Sequence, residues 1–420
     1  MSNSNHQDSA LTAYPAIVTL EEEPSPTASR RQFFQTFSAD SPGPIAGAYA
    51  AGNLAAPEPQ NAAEAAKAVS PFAKDATPFI QHGASSLETH LEDMAGFITP
   101  VELFFVHNNA PASLQVDIDS YVLTVEGDQI ATPLTLTYKD ILNLPSRTLF
   151  ATVECGGNWR GFFGEVMGQE ASGTPWQTGA IGMAEWTGVR LRDVLMIAGV
   201  KPNAADVMLI GLDEEAPAGG FRRTIPLDKA LDPDTILAYA MNGQPLPPDH
   251  GFPLRAIVPG WVGSSSIKWL GKIQVSSETL WSHNNNTSYV LIGDDYPPEG
   301  EAEGQAATLQ SVKSSLTLPR PAELSAGPQM LRGYAHSPYK IIQVEWSDDN
   351  GHSWQPATLI DPIMRYAWTR FEFPWNPSPG RYTLMTRATD GAGRTQSKSI
   401  PFNEKGYLGN MILPHEVTVT

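Results

Sequence analysis

The sequence predicts an α+β fold in two folded parts, a mixed α and β domain followed by a β-sandwich of immunoglobulin type. Three observations carry this reading. Between about residues 76 and 305, apolar residues recur at both the strand period and the helix period. From about 306 to 420, short β-rich runs follow one another, with an Asn350-Gly351 hairpin signal among them. The 35 glycines and 36 prolines interrupt the chain too often for long helices and place most polar motifs on loops. A length of 420 residues allows two or three domains, each with its own core.

Residues 1–75 are rich in Ala, Pro, Ser, Asn and Glu and hold no sustained period, so a mostly disordered tail is expected there. Inside it, Ser29-Arg30-Arg31-Gln32-Phe33-Phe34 is similar to a bacterial twin-arginine export signal, and Ala48-Tyr49-Ala50 offers an A-x-A cleavage site. Asp40, Pro42 and Pro44 interrupt the apolar region such a signal needs. The expectation is folded export to the periplasm. A chance arginine pair in a flexible tail would leave the protein cytoplasmic.

In the first folded part, Tyr121-Val122-Leu123-Thr124-Val125 alternates as a strand, and residues 138–142 read as a short helix stopped by Pro145. Residues 148–153 form an apolar run that reads as a buried strand. Leu191, Val194, Leu195 and Ala198 share one helix face, ended by Gly199. In the second part, residues 341–346 and 353–354 flank the Asn350-Gly351 turn. Phe371 and Phe373 alternate with polar neighbours, and residues 381–388 form a further strand before Asp390-Gly391. A single cysteine rules out an internal disulfide, so packing alone must hold this sandwich.

With 27 Lys and Arg against 45 Asp and Glu, the net charge of −18 argues against a nucleic-acid backbone as partner. It suits solubility, and also capture of a basic protein. No run approaches the 18 or more apolar residues of a membrane span.

The lone cysteine, Cys155, sits in Val153-Glu154-Cys155-Gly156-Gly157-Asn158-Trp159-Arg160 at the end of the apolar run. Two glycines let the backbone approach a ligand, and Arg160 adds a fixed positive charge, the setting of a thiolate that binds a metal or attacks an electrophile. The alternative is a buried cysteine acting as a small hydrophobe. Four polar clusters accompany it: His107-Asn108-Asn109 at the end of an expected apolar strand, Phe104-Phe105-Val106, then His250 with Arg255, residues 260–268, and Ser282-His283 with Tyr289. Residues 260–268 hold the donors and open backbone that a phosphate or pterin ring needs. Each cluster alone also reads as ordinary loop capping. The G-x-G-x-x-G, P-loop, H-E-x-x-H and G-x-S-x-G patterns are absent from the sequence. A hydrolase assembled from Ser264, His250 and Asp249, or a Cys155–His107 pair, stays open on spacing alone.

Taken in order, these segments resemble the sulfite oxidase family of molybdopterin enzymes. The resemblance spans roughly residues 90–420. It rests on residues 154–160 (family E/Q-C-A-G-N-x-R), on 186–195 (family W-x-G-x-x-L-R-D-V-L), on 236–243 and 246–255, on Lys268-Trp269-Leu270 and on Ser282-His283. It implies a molybdopterin-binding domain over 76–305 and an immunoglobulin-like dimerisation domain over 306–420, paired as a homodimer. It further implies Cys155 as the thiolate ligand of molybdenum. His250, Arg255, Ser266, Ile267 and Lys268 would hold the pterin phosphate and ring, with Asn108 and Asp213 as further contacts. Arg160 and Tyr289 would face the substrate, a small sulfur oxyanion such as sulfite.

The chain departs from the family pattern at three positions. His107 stands where the family has a substrate-binding arginine in F-x-R-N-H, and Asn109 replaces the histidine that follows. Lys405, in Phe402-Asn403-Glu404-Lys405-Gly406, stands for a second arginine. Neither His nor Lys supplies a planar, permanently charged two-pronged donor, so weaker sulfite binding or a different sulfur substrate is expected. No haem domain is expected ahead of the core, and one cysteine excludes a C-x-x-C-H site. Electrons are therefore expected to leave through an external acceptor such as a small cytochrome c. The contrasting expectation is a family scaffold that has lost the cofactor and serves as a binding protein or incidental hydrolase.

Overall fold

The computed structural model describes residues 70–94 and 96–420. The export-signal and cleavage-site readings at 29–34 and 48–50 lie outside the described residues. The chain is mostly sheet. Its five described α-helices run only four to seven residues each, and among the described residues no helix is long and apolar enough to cross a membrane.

Two five-stranded sheets build the first folded part. One has the order Leu134–Thr137, Val122–Glu126, Leu270–Ser276, Asp206–Gly211, Arg222–Pro226, antiparallel except for the parallel pair of Val122–Glu126 with Leu270–Ser276. Alternation dictates its faces: Leu123 and Val125 are fully buried, while Val122 and Glu126 face out. The helix Leu191–Ile197 lays Leu191, Val194 and Leu195 on this core and leaves Met196 and Ile197 exposed. The helix Tyr138–Asn143 starts with a reciprocal cap between Thr137 and Asp140, a device worth about 1 kcal/mol.

The second sheet orders Gln244–Pro245, Ile236–Met241, Ile181–Arg190 and Ser146–Glu154, with Arg255–Ile257 also paired to Ile236–Met241. Ser146–Glu154 pairs with Ile181–Arg190 along its whole length, ending at Glu154 opposite Ile181. Its β-branched and apolar residues bury against Phe104, Trp176 and Trp186. Cys155 therefore leaves the sheet at the end of a long, fully paired strand, a rigid mount for a reactive atom.

The C-terminal part is a sandwich. Lys313–Leu316, Gln329–His336, Thr369–Trp375 and Thr358–Leu359 form one sheet. Ala322–Leu324, His415–Val419, Gly380–Asp390, Ile341–Ser347 and Gln355–Pro356 form the other. Their inner faces meet in one cluster containing Leu331, Val344, Trp346, Phe371, Phe373 and Leu384, with Trp346 stacked on Phe373 at 4.5 Å. Asn350 and Gly351 both take positive φ (60° and 75°), as the hairpin signal requires.

Two expectations are corrected. The apolar run before His107 is not a strand: Pro100 opens a single 3-10 turn, Val101–Leu103, and only Val106–His107 pairs. Phe104 and Phe105 instead stack into the core at 5.6 Å. The folded chain, expected to begin at about residue 76, also begins earlier. Phe72 is buried with Phe79, Leu87 and Val106, and Lys74 is hydrogen-bonded to Val101 and Phe104, so folded chain is present from about residue 71. One aromatic in a stretch rich in Ala and Pro was too sparse a signal for a period to register.

Candidate active site

Two cavities meet at Cys155. The inner cleft offers about 700 Å³ of space and the outer pocket about 750 Å³, solvent at their open mouths included, and both are lined by His107, Asn109, Cys155 and Tyr289. The cysteine is held by its strand end. Its N–H donates to Ala180 O at 2.9 Å, and the turn closes with Asn158 N donating to Cys155 O at 2.9 Å. Burial pushes the thiol's pKa up, while Arg160 and the Gly157 N–H pull it back. At Gly157 a Cβ would sit 2.4 Å from the Arg160 guanidinium, so any larger residue there would displace the arginine.

The inner cleft is built for a polar, anionic guest. Arg255 donates to the carbonyls of His250 (3.1 Å) and Ser266 (2.9 Å), and lies over the Trp186 ring at 5.0 Å. Burial lowers its pKa to about 9. Lys268 donates to Asn108 Oδ1 and, at 3.1 Å, to Asp249 O; burial and then Arg255 bring it down to about 7. These partners are neutral oxygens, so the positive charge is uncompensated by direct contact. Around them, Ser264 Oγ, Asp249 Oδ2 and Arg255 Nε are buried without a protein partner. Each such orphan costs about 1–3 kcal/mol, which a bound polar ligand would recover. Asp213 lines the cleft too, its carboxyl raised to about 6 by burial.

The outer pocket is lined by Arg160, Trp176, Lys405 and Tyr407 beside the shared residues. Arg160 is fixed by Nε to Lys405 O (2.6 Å), by Nη1 to Thr174 O (2.9 Å) and by the Tyr407 ring at 4.9 Å. The Trp176 indole N–H is buried and unpartnered, a donor waiting for an acceptor. Tyr289 accepts from Asn109 Nδ2 at 3.3 Å and stacks on Tyr407 at 5.5 Å. Burial pushes its phenol well above the usual range, so it stays a protonated donor.

Neither residue standing in for an arginine is a free cation. His107 shares a 2.8 Å hydrogen bond between Nδ1 and Ser86 Oγ, and burial, then Lys268 and Arg160, lower its pKa to about 4. It is neutral at physiological pH. The Lys405 ammonium donates to Thr287 O and stands 3.8 Å from Glu303.

The structure thus gathers Cys155, His107, Asp213, His250, Arg255, Ser266, Ile267, Lys268 and Tyr289 around the inner cleft, with Arg160 and Lys405 in the outer pocket. Asn108 is not in the lining: its amide is spent on Lys268 and Ser113. Ser282 and His283 leave the cleft for a one-turn helix, His283–Asn286, packed on Arg222–Pro226. The hydrolase arrangement is not formed. His250 Nε2 meets the Lys74 ammonium, Asp249 Oδ1 accepts from Ser113, and Ser264 Oγ has no partner. Nor do Cys155 and His107 bond, since the imidazole is turned to Ser86. Sequence reasoning missed Trp176, Tyr407 and Lys74; Trp176 lies in a Gly/Pro-rich loop with no periodicity to mark it.

The residues from 107 to 284 match the oxidoreductase molybdopterin binding domain. The sulfite oxidase of Arabidopsis thaliana is 30% identical over 350 residues, covering 75% of this chain and 86% of that protein. The Gallus gallus sulfite oxidase is 34% identical, covering 74% and 71%. The chain belongs to the sulfite oxidase family. Human mitochondrial sulfite oxidase is 35% identical over 75% of this chain, which spans only 60% of that protein's length. Among solved structures, the sulfane dehydrogenase SoxCD from Paracoccus pantotrophus superposes with a TM-score of 0.72 at 27% identity, covering 81% of this chain and 88% of that one. The family's cofactor fits the inner cleft on the chain's own donor set. Among the described residues no group of three or more His, Cys, Asp or Glu could hold a metal unaided. A metal at Cys155 must therefore bring its other ligands with it.

The buried imidazoles set an acid limit on stability. His107 and His415 both sit near pKa 4, against about 6.5 when unfolded. Between these values the unfolded chain binds more protons, so stability is complete above about pH 6.5 and falls as pH drops towards 4. Urea midpoints at pH 7, 5.5 and 4.5 are expected to decline, with a shallower slope in His415→Gln. A midpoint flat across the window would contradict the burial argument.

Proposed function

We propose that the chain is a molybdopterin-dependent oxidoreductase that oxidises a small sulfur compound and passes the electrons to an external acceptor such as a cytochrome c. The observation that carries this reading is the placement of Cys155 where the cationic cleft and the outer pocket join. Cys155 holds the metal, and Arg255, Lys268, Ser266 and His250 hold the anionic end of the pterin, with Asp213 and Ile267 beside it. When bound, the cofactor supplies a two-electron redox centre. Arg160 binds the substrate's oxygens, the Trp176 N–H donates to them, and Tyr289 offers a proton-bearing donor at the boundary of the two cavities. Pairing of two copies through the sandwich and export through the 29–34 segment belong to the same reading. Molybdenum and pterin content of protein from a cofactor-competent host, with substrate-dependent reduction of an added acceptor, tests it. Absence of both metal and pterin would leave the cofactor-free scaffold.

Charge decides between sulfite, named in the curated relatives, and the sulfane sulfur named for the solved structure. A neutral His107 and a tethered Lys405 leave Arg160 as the one guanidinium of the outer pocket. That favours a substrate with less charge than the sulfite dianion. His107→Arg and Lys405→Arg are each expected to lower KM for sulfite by about tenfold or more, since a hydrogen bond to a charged group is worth roughly 1.5–3 kcal/mol. A wild-type KM already in the low micromolar range, or no change in either variant, would contradict the charge argument.

A further inference from the structure

The segment at residues 71–74 grips both members of the Asp249-His250 pair that lines the inner cleft. Pro71 O accepts from Ser113 N at 2.9 Å, and Ala73 N donates to Asp249 Oδ1 at 3.0 Å. Ser113 Oγ donates to that same Oδ1 at 2.5 Å, leaving Asp249 Oδ2 buried and unpartnered. Lys74 is the more telling contact. Its ammonium reaches Val101 O at 2.7 Å, Phe104 O at 2.8 Å and His250 Nε2 at 2.9 Å. Three protons meet three acceptors, so the ammonium is fully used, and the imidazole nitrogen facing it can only accept.

That fixes the ring. A neutral imidazole accepting at Nε2 carries its proton on Nδ1. Burial, and after it Lys74, Arg255 and Lys268, outweigh the nearby Val101 carbonyl, which alone favours a second proton, so His250 stays neutral. We propose that residues 71–74 act as a clasp on the cofactor cleft and that Lys74 is a positioning residue within it, holding His250 as the Nδ1–H tautomer so that a donor is kept beside Arg255 and Lys268. This rests on the reading of the cleft as the pterin site. It extends that site to a segment outside the 107–284 span that matches the molybdopterin-binding domain. Without Lys74, two carbonyls near the imidazole lose their donor, and the ring gains by moving its proton to Nε2 to serve Val101 O. The cleft then faces the cofactor's anionic end with a bare nitrogen lone pair.

The test is the histidine 15N spectrum of the full chain from a cofactor-deficient host, with His250→Gln to assign the signals. The expected result is an Nδ1–H His250 in the wild type and an Nε2–H His250 in Lys74→Met. Pterin retained after dialysis of protein from a competent host is expected to fall by about tenfold in Lys74→Met, in the range found for partners that orient cofactor-holding imidazoles. Lys74→Arg, which keeps N–H donors, is expected to restore both readouts. An Nε2–H ring in the wild type overturns the proposal even if the variant fails to fold. Pterin loss in Lys74→Met with the tautomer unchanged also overturns it. If the wild type takes up no pterin while the tautomers behave as stated, the reading of the cleft fails and the role of Lys74 in orienting His250 stands.

Discussion

Serine in place of Cys155 is expected to reduce bound molybdenum and turnover by more than a hundredfold while leaving the fold intact. No replacement ligand set is at hand, because among the described residues no group of three or more His, Cys, Asp or Glu is placed to hold a metal ion, and Cys155 is the one cysteine of the sequence. Substitutions of residues that merely orient metal ligands cost about 10–100-fold, so loss of a ligand, the role proposed for Cys155, is expected to exceed that range. Serine is a poor substitute, since its hydroxyl is not deprotonated at neutral pH and is a hard donor where the site is soft. The backbone bonds that place the residue, from Cys155 N to Ala180 O and from Asn158 N to Cys155 O, involve no side-chain atom and survive. Metal analysis, pterin fluorescence and steady-state turnover measure the loss. A urea midpoint within about 1 kcal/mol of wild type shows that folding is not the cause. Wild-type metal content and activity in Cys155→Ser would return the residue to the role of a small buried hydrophobe.

The polar clusters of this site were readable in the sequence where they lie in short runs. Cys155 with Arg160, His250 with Arg255, and Ser266 with Lys268 are each close in the chain, so spacing and residue type mark them as clusters, while their proposed roles come from the family resemblance. The strand Ser146–Glu154 and the helix Leu191–Ile197 were readable for a related reason: their apolar period is complete within one element. What could not be read is whatever depends on pairing across long separations. Asn108 looks like a cleft donor until Lys268, 160 residues away, takes its amide oxygen. His107 reads as a weaker cation until burial beside Lys268 and Arg160 makes it neutral. Lys74 has no local pattern at all, and its meaning lies in a contact with His250 across 176 residues.

Glu154 carries the same lesson into energetics, and replacing its partner in Lys313→Met is expected to destabilise the protein by about 3–5 kcal/mol. The carboxylate is fully buried one residue before Cys155. Its Oε1 accepts from Lys313 Nζ at 2.5 Å and from Asn158 Nδ2 at 3.0 Å. His336 Nε2 stands 3.1 Å from Oε2. Burial alone would raise the Glu154 pKa, yet Lys313 and then His336 hold it at about 2, so the attraction outweighs the desolvation. Removing only the cation leaves a buried charge uncompensated, which is the costly way to break such a pair. Replacing both partners is the milder change: Lys313→Met with Glu154→Met is expected to recover most of the loss, giving a coupling energy of a few kcal/mol in a double-mutant cycle. Lys313 belongs to the sandwich strand Lys313–Leu316 and Glu154 to the strand that mounts Cys155, so the pair ties the second folded part to the reactive position of the first. Lys313→Met is therefore expected to lose retained molybdenum as well as stability. Urea denaturation of the two single variants and the double variant measures the coupling; a single-variant cost below about 1 kcal/mol would mean that Asn158 and His336 hold the carboxylate without Lys313.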